Sequence, residues 1–190
     1  EEKRNIDNLA EQRIKYGIKT DKIVIFCARF IKHRRADLLL KLIDGMKEKQ
    51  VEFIIIGDGN YKPSFSNYDS VHDFGLLYDE KIKSQLFAIS TLSFQPAWSG
   101  LSVVESMANG VPYVTLKRSK QIYQCVEYNY IKHNYNGFIG NNLEEIDDFI
   151  TSIDKTTLNY MSRNCTDYIK RELTLSNMVD NFISGVSSSS

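Results

Sequence analysis

Residues 94–112 read F-Q-P-A-W-S-G-L-S-V-V-E-S-M-A-N-G-V-P, and the rest of the chain is arranged around them. The stretch has the form of a strand end, a tight loop and a helix. Leu101, Val104, Glu105 and Ala108 recur at i, i+3, i+4 and i+7 before Gly110 and Pro112 stop the helix. The helix opens on Gly100, Leu101 and Ser102. Unpaired backbone N–H groups at a helix N-terminus, the positive end of the helix dipole and a glycine that permits close approach together make a seat for phosphate. Glu105 stands one turn further in. The pair Ser102 and Glu105 equally fits a capping box, in which the glutamate satisfies only the helix's own N–H groups, and the spacing leaves both readings open.

The flanking sequence supplies the frame. Residues 22–28, K-I-V-I-F-C-A, form a continuous apolar run rich in β-branched side chains, as a strand buried on both faces requires. A helix is expected over residues 36–49, with Leu38, Leu39, Leu42, Ile43 and Met46 as its buried stripe, and a second buried strand over 51–56, stopped by G-D-G-N. One such βαβ unit demands a parallel sheet and a right-handed crossover. Residues 61–70 lack a period and read as loop, 71–74 as a short strand, and Asp79 as the cap of a helix reaching Ala88. Residues 91–94 are a third interior strand, and 113–116 a strand after the central helix.

Residues 117–136 are basic and tyrosine-rich, and read as a long mobile connection of the kind that often carries function. A last short strand follows at 137–139. Asn142 and Glu145 then open a helix with Leu143, Ile146, Phe149, Ile150 and Ile153 on one face, and further helical stretches fall around 158–173 and 175–183. A helix over the first 18 residues ends at Gly17. This alternation predicts an α/β fold, a Rossmann-like doubly wound parallel sheet with helices on both faces. One domain is expected over residues 1–186, of which 1–20 are the N-terminal helix and lead-in, with 187–190 a flexible serine tail. Ligands of such sheets bind outside the carboxyl ends of the strands, where the Arg29 loop, the Gly57 loop and the Gly100 turn all fall.

With 24 basic and 24 acidic residues among 190, the chain carries no net charge, which argues against bulk nucleic-acid binding and makes any phosphate site a local one. Cys27, Cys125 and Cys165 are odd in number and scattered, without C-x-x-C spacing. That argues against a disulfide framework or structural zinc and favours a reducing, cytoplasmic setting. His33, His72 and His133 have no metal-ligand spacing, so no metal is assigned. No run approaches the length of a membrane span, and the first residues, E-E-K-R-N, have no signal-peptide core and no initiator Met, from which a fragment or processed chain is expected.

Arg29 directly follows the first strand and Arg34 precedes the next helix. Two guanidinium groups can thus lie over the strand ends, and arginine suits bidentate phosphate recognition, although a basic loop is also what a solvated face looks like.

A proline, a short loop, G-L-x-x-x-E-x-M-A-x-G-x-P and a following β-like run resemble the signature of the retaining glycosyltransferases of the GT-B fold, family four, the glycosyl transferases group 1. The family's motif carries two glutamates eight positions apart; Glu105 matches the second, and Ala97 stands where the first would be. The family's G-R-L-x-x-x-K-G-x-D is followed by Ala28, Arg29, Phe30 and then Arg34, Arg35, Ala36, Asp37, with Arg34 for the lysine and Arg35 for the glycine. Its I-G-x-G matches Ile56 to Gly59, and its V-x-F-x-G resembles Val71 to Gly75. Its usual Gly-Gly-x-x-Glu after the later strand is not evident in 117–136, where Glu127 is a weak counterpart.

This resemblance implies the donor-binding, C-terminal half of a glycosyltransferase of retaining, hexosyl-transferring type, inactive without the absent N-terminal acceptor domain. The substrate would be a UDP- or GDP-linked sugar, with no resident cofactor. Arg29 and Arg34 would hold the diphosphate, as would the N–H groups of Gly100, Leu101 and Ser102. Glu105 would accept from the ribose hydroxyls, Leu77 in the loop after Gly75 would lie against the base, Gly57 would line the donor site, and Ser99 or Trp98 would contact the sugar, the alternative for both Leu77 and Trp98 being packing. The acceptor would be a glycan or lipid-linked molecule, and the full-length enzyme would act in the cytoplasm, with peripheral association at the inner face of a membrane. The abundance of Asn, Lys, Ile and Tyr points by association to a bacterial surface-polysaccharide pathway. The rival readings are a non-catalytic nucleotide-binding or scaffold module on the same fold, favoured by Ala97, and half of a nucleotide-sugar epimerase.

Overall fold

The structure is a computed structural model, which describes residues 6–173 and 177. The apolar runs form six strands, β1 (Ile23–Cys27), β2 (Glu52–Ile56), β3 (Val71–Asp73), β4 (Leu92–Phe94), β5 (Tyr113–Leu116) and β6 (Gly137–Gly140). They lie in one sheet in the order β3-β2-β1-β4-β5-β6, and every pairing is parallel. The helices are α1 (Ile6–Lys15), α2 (Ala36–Gly45), α3 (Glu80–Ile89), α4 (Ser102–Ala108), α5 (Leu143–Ser152) and α6 (Lys155–Glu172). This is the strand order of a doubly wound Rossmann-like sheet. The direction of winding reverses between β1 and β4, and the reversal opens a crevice at their carboxyl ends.

Side-chain alternation splits the core into layers. Val24 and Phe26 of β1 face one side with Phe53, Ile55, Leu92, Phe94 and Val114, covered by Leu39, Leu42 and Ile43 of α2 and by Ile146 and Ile150 of α5. Ile23 and Ile25 face the other, with Ile54 and Ile56, beneath Leu86, Phe87 and Ile89 of α3. Each such buried side chain contributes about 1.5–3 kcal/mol relative to exposure. A third cluster, with Val103, Met107, Tyr113, Ile131 and Cys165, joins α4 to α6.

Local signals set most helix starts. Asp79 accepts from the N–H groups of Lys81 and Ile82 at 2.9 and 3.0 Å, Asn142 from Glu145 at 2.9 Å and Asp154 from Thr157 at 2.8 Å. The last cap begins α6 at Lys155, three residues before the apolar Leu158 that marks the stretch in the sequence. At the other end of a helix, α2 stops at Gly45 rather than running to residue 49. The helical stretch expected at 175–183 and the serine tail lie outside the described residues.

Two expectations are corrected. The apolar face of α4 is not the one through Leu101, Val104 and Ala108: Val103, Ser106 and Met107 are buried, while Leu101 is 74% exposed. Both stripes have helical spacing. Packing against Tyr113 and α6 selects the inner one and turns Glu105 outward, towards the strand ends. The segment 117–136 is also no free connection. It contains a 3-10 turn, Val126–Tyr130, Tyr123 accepts from the Trp98 N–H at 2.7 Å, and the Gln124 amide donates to Thr115 at 3.0 Å and to Leu116 at 2.8 Å. Without a period in its side chains, the segment is held by its backbone, by side-chain amides and by scattered apolar side chains, Ile131 being buried in the third cluster with Tyr128 and Tyr130 packed against it.

Candidate active-site crevice

Four loops meet at the carboxyl ends of the strands: residues 28–35 after β1, 57–59 after β2, 75–79 after β3 and 95–101 after β4. The first two are joined by their backbones. Ala28 N–H donates to Ile56 and Phe30 N–H to Asp58, each at 2.9 Å, which places Gly57 and Gly59 against the neighbouring loop. A Cβ on Gly57 would lie 2.0 Å from the Ala28 carbonyl oxygen, and one on Gly59 2.3 Å from that of Phe30. The G-x-G pair is therefore required by close strand-end packing. Gly57 itself is occupied: its N–H donates to Gly75 at 2.7 Å and its carbonyl accepts from Lys62 Nζ at 2.9 Å.

Arg29 follows β1, and its side chain is exposed and has no partner among the described residues. Arg34 ends a 3-10 turn, Lys32–Arg34, and lies half-buried in the crevice. Its Nη1 donates to Gln95 Oε1 at 2.7 Å, and its Nε–H is buried with no partner. Burial lowers its pKa from the usual arginine value, and among the described residues no carboxylate pairs with it. Arg35 differs: its guanidinium forms a fork with Asp37 at 2.8 and 2.7 Å, which holds its pKa up. Its backbone is left-handed, with φ 54, so the glycine of the resembled motif falls where the chain takes a conformation glycine favours.

The loop from β4 is organised by Gln95, buried at 2% exposure, whose amide bonds Arg34 and Ser102 on one side and the carbonyls of Ala97 and Trp98 on the other. Trp98 has a left-handed backbone and stacks on His33 with ring centroids 4.9 Å apart, closing the loop over the 3-10 turn. Ser99 is fully buried, its N–H donating to Gln124 at 2.9 Å and its hydroxyl lying 3.2 Å from Thr115, so it belongs to the loop's support. The N–H groups of Gly100, Leu101 and Ser102, by contrast, have no acceptor among the described residues. The Ser102 hydroxyl meets Gln95 at 3.2 Å and the Tyr113 hydroxyl at 3.0 Å; burial raises the Tyr113 pKa to about 12 and keeps it a neutral partner.

Glu105 makes no capping box, since no side chain caps α4. Its Oε1 lies 2.7 Å from Lys83 Nζ of α3, and its Oε2 3.8 Å from the Cys27 sulfur at the end of β1. The carboxylate holds the Lys83 ammonium above the usual lysine range, while burial and Glu105 push the Cys27 thiol up to about 12, so that it stays a protonated donor. Glu105 thus stands on the opposite side of the switch point from Arg34, one turn along α4 from the free N–H groups. Leu77 is half-buried and packs against the layer containing Ile54 and Leu86.

The fold therefore brings Arg34, Ser102 and Glu105 to one crevice, with Arg29 at its edge, and uses Gly57 and Ser99 as scaffold. Gln95 and Lys83 were missed. The only sequence signals for them are a polar residue interrupting an apolar strand end before Pro96, and a lysine three residues after the acidic opening of a helix. Among the described residues no group of three or more His, Cys, Asp or Glu side chains could hold a metal, and no helix is long and apolar enough to cross a membrane.

The Rossmann-like fold of this sheet is shared with solved structures, among them WaaG, a glycosyltransferase involved in lipopolysaccharide biosynthesis. A TarM mutant from S. aureus in complex with Fondaparinux, alpha-GlcNAc-glycerol and UDP superposes with a TM-score of 0.72 at 18% identity, covering 87% of this chain and 35% of TarM. HepE from Anabaena in complex with UDP-glucose gives 0.72 at 18%, covering 97% of this chain and 53% of HepE. The C-terminal domain of the group 1 family protein LpcC from Francisella tularensis gives 0.67 at 16%, covering 92% of this chain and 95% of that domain. At these identities the likeness is one of fold, and the chain spans about a third of TarM and half of HepE. No curated protein matches it in sequence. The family model for glycosyl transferases group 1 matches residues 9–172, and the chain belongs to that family.

Proposed function

We propose that this chain is the donor-binding half of a retaining glycosyltransferase, and that its crevice holds the diphosphate of a UDP- or GDP-linked sugar. The observation that carries this reading is Arg34: a half-buried cation at the switch point, bonded to a neutral amide, with one N–H unpartnered. A buried charge without a counter-ion is costly unless a ligand supplies one. A diphosphate would supply it, with Arg29 of the same loop and the unpartnered N–H groups of Gly100, Leu101 and Ser102 as further donors. As the sugar's anomeric C–O bond breaks and a new one forms to an acceptor hydroxyl, these groups stabilise the charge growing on the leaving diphosphate, and the acceptor's proton passes to base or solvent. Positive charge comes from side chains and backbone, so the reading assigns no metal. The acceptor, a glycan or lipid-linked molecule of bacterial surface-polysaccharide synthesis at the cytoplasmic face of a membrane, would be held by an N-terminal domain.

Calorimetric titration of the chain at low salt with UDP-, GDP- and ADP-sugars tests this. Weak but measurable binding of one nucleotide is expected, since an open crevice leaves its phosphate contacts screened by solvent. Silence from all of them at millimolar concentration would remove the reading. A second reading, a nucleotide-binding module without transfer, is favoured by Ala97, whose fully buried methyl occupies the place of the motif's first glutamate. It predicts that UDP and UDP-sugar bind equally.

Glu105→Gln separates a ribose contact from a structural one. Loss of the charge-assisted contact to the diol weakens UDP binding by about 1.5–3 kcal/mol. The melting temperature hardly moves, because Lys83 keeps its ion pair with Glu80 at 3.0 Å and the glutamine carbonyl can still accept from it. A fall in melting temperature with unchanged affinity would make Glu105 structural.

A further inference from the structure

Gln95 touches four groups. Its carbonyl oxygen accepts from Arg34 Nη1 at 2.7 Å and from Ser102 Oγ at 3.2 Å, and its Nε2 donates to the Ala97 and Trp98 carbonyls at 2.9 and 2.7 Å. An amide can accept on one side and donate twice on the other while carrying no charge. Glutamate in its place would still accept from Arg34, but it would neutralise the guanidinium and face two carbonyl oxygens without protons to give. Methionine would fill the space and hold neither group. Resting on the nucleoside-diphosphate reading above, we infer that Gln95 is a positioning residue: it aims Arg34 and the 97–102 turn at one diphosphate while leaving the arginine's charge uncancelled for the ligand.

The inference follows from what a carboxylate would do here. An arginine already paired in a half-buried site must share its charge with the incoming phosphate and brings a repelling anion with it. The same chain shows the contrast, since Arg35 is paired with Asp37 and Arg34 is not. Gln95 also ties two otherwise separate elements, the 3-10 turn after β1 and the N-terminus of α4, so both phosphate-facing surfaces share one anchor.

The test is calorimetric titration of the whole chain with UDP, as wild type, Gln95→Glu and Gln95→Met, each with and without Arg34→Ala. Gln95→Glu is expected to lose roughly tenfold or more in affinity at pH 8, the size of one charged hydrogen bond. Relative to wild type at each pH it should recover as the pH falls, because the protonated carboxyl is neutral and regains a proton to donate. Gln95→Met should lose less and show no such recovery. In the Arg34→Ala background the Gln95→Glu loss should largely vanish. Wild-type affinity in both variants, equal losses with and without Arg34, or loss of the fold in both would overturn the inference. Failure of the wild type to bind any nucleoside diphosphate would instead overturn the function reading, and the inference with it.

Discussion

Gly57→Ala destabilises the protein by about 3 kcal/mol or more, because strained backbone and a steric clash arise together. With φ 136 the residue has a conformation that side chains rarely adopt, and the new methyl would lie 2.0 Å from the Ala28 carbonyl oxygen and 2.9 Å from its carbon. No rotamer relieves contact with a backbone. The loop 28–35 would have to lift from β2, breaking the Ala28-to-Ile56 hydrogen bond and carrying Arg29 and Arg34 out of place. Urea unfolding should show the loss of stability, and any folded fraction should bind UDP less well. Gly75→Ala is the comparison: it also has a left-handed backbone, with φ 59, but beyond its chain neighbours nothing lies within 4 Å of the added methyl, so only the conformational cost of about 1–2 kcal/mol applies. Equal costs for the two would mean that the close approach of β1 and β2 loops is not what requires Gly57.

Removing either crevice arginine costs nucleotide binding about 1.5–3 kcal/mol, with little loss of stability. Arg34→Ala deletes a cation the fold leaves without a counter-ion, and Arg29→Ala one without a partner, so neither loss breaks an internal ion pair. Lysine should restore Arg34 better than Arg29, since the resembled motif has lysine at the first position and arginine's planar fork at the second. Arg35→Ala provides the control. Its fork to Asp37 already cancels its charge, and its loss should be felt only through weak, long-range attraction that fades with salt. Arg35→Gly should leave stability within about 1 kcal/mol of wild type, with relief of a left-handed backbone offsetting an exposed ion pair. Titration with UDP at two salt concentrations decides the matter. Equal, small, salt-sensitive losses at all three arginines would reduce the loop to a basic surface.

How much of this could be read beforehand depends on the physics behind each element. β1 and β2 were legible because strands buried on both faces must be apolar throughout, and Asp79 and Asn142 because caps are local. The inward face of α4 was not: two stripes with the same period compete there, and only the position of Tyr113 and α6 chooses between them. The hold on 117–136 was hidden for a related reason, since backbone donors, a lone amide such as Gln124 and scattered apolar side chains such as Ile131 leave no periodic trace. In the crevice, Arg29, Arg34 and Glu105 were visible from spacing and resemblance. Gln95 and Lys83 act across gaps of 61 and 22 residues, on Arg34 and Glu105 respectively, which no local pattern records.

The most direct test of the crevice is where UDP perturbs the chain. In a magnetic-resonance titration of the nitrogen-labelled protein, the amide signals of Gly100, Leu101 and Ser102 and those of Arg29 to Arg34 should move together with a single affinity, and the signals of Arg34→Ala should move far less at the same UDP concentration. Shifts gathered instead around the cavity between β6 and α5, lined by Lys117, His133, Phe138 and Phe149, or unchanged amides at 100–102 under saturating UDP, would contradict the account.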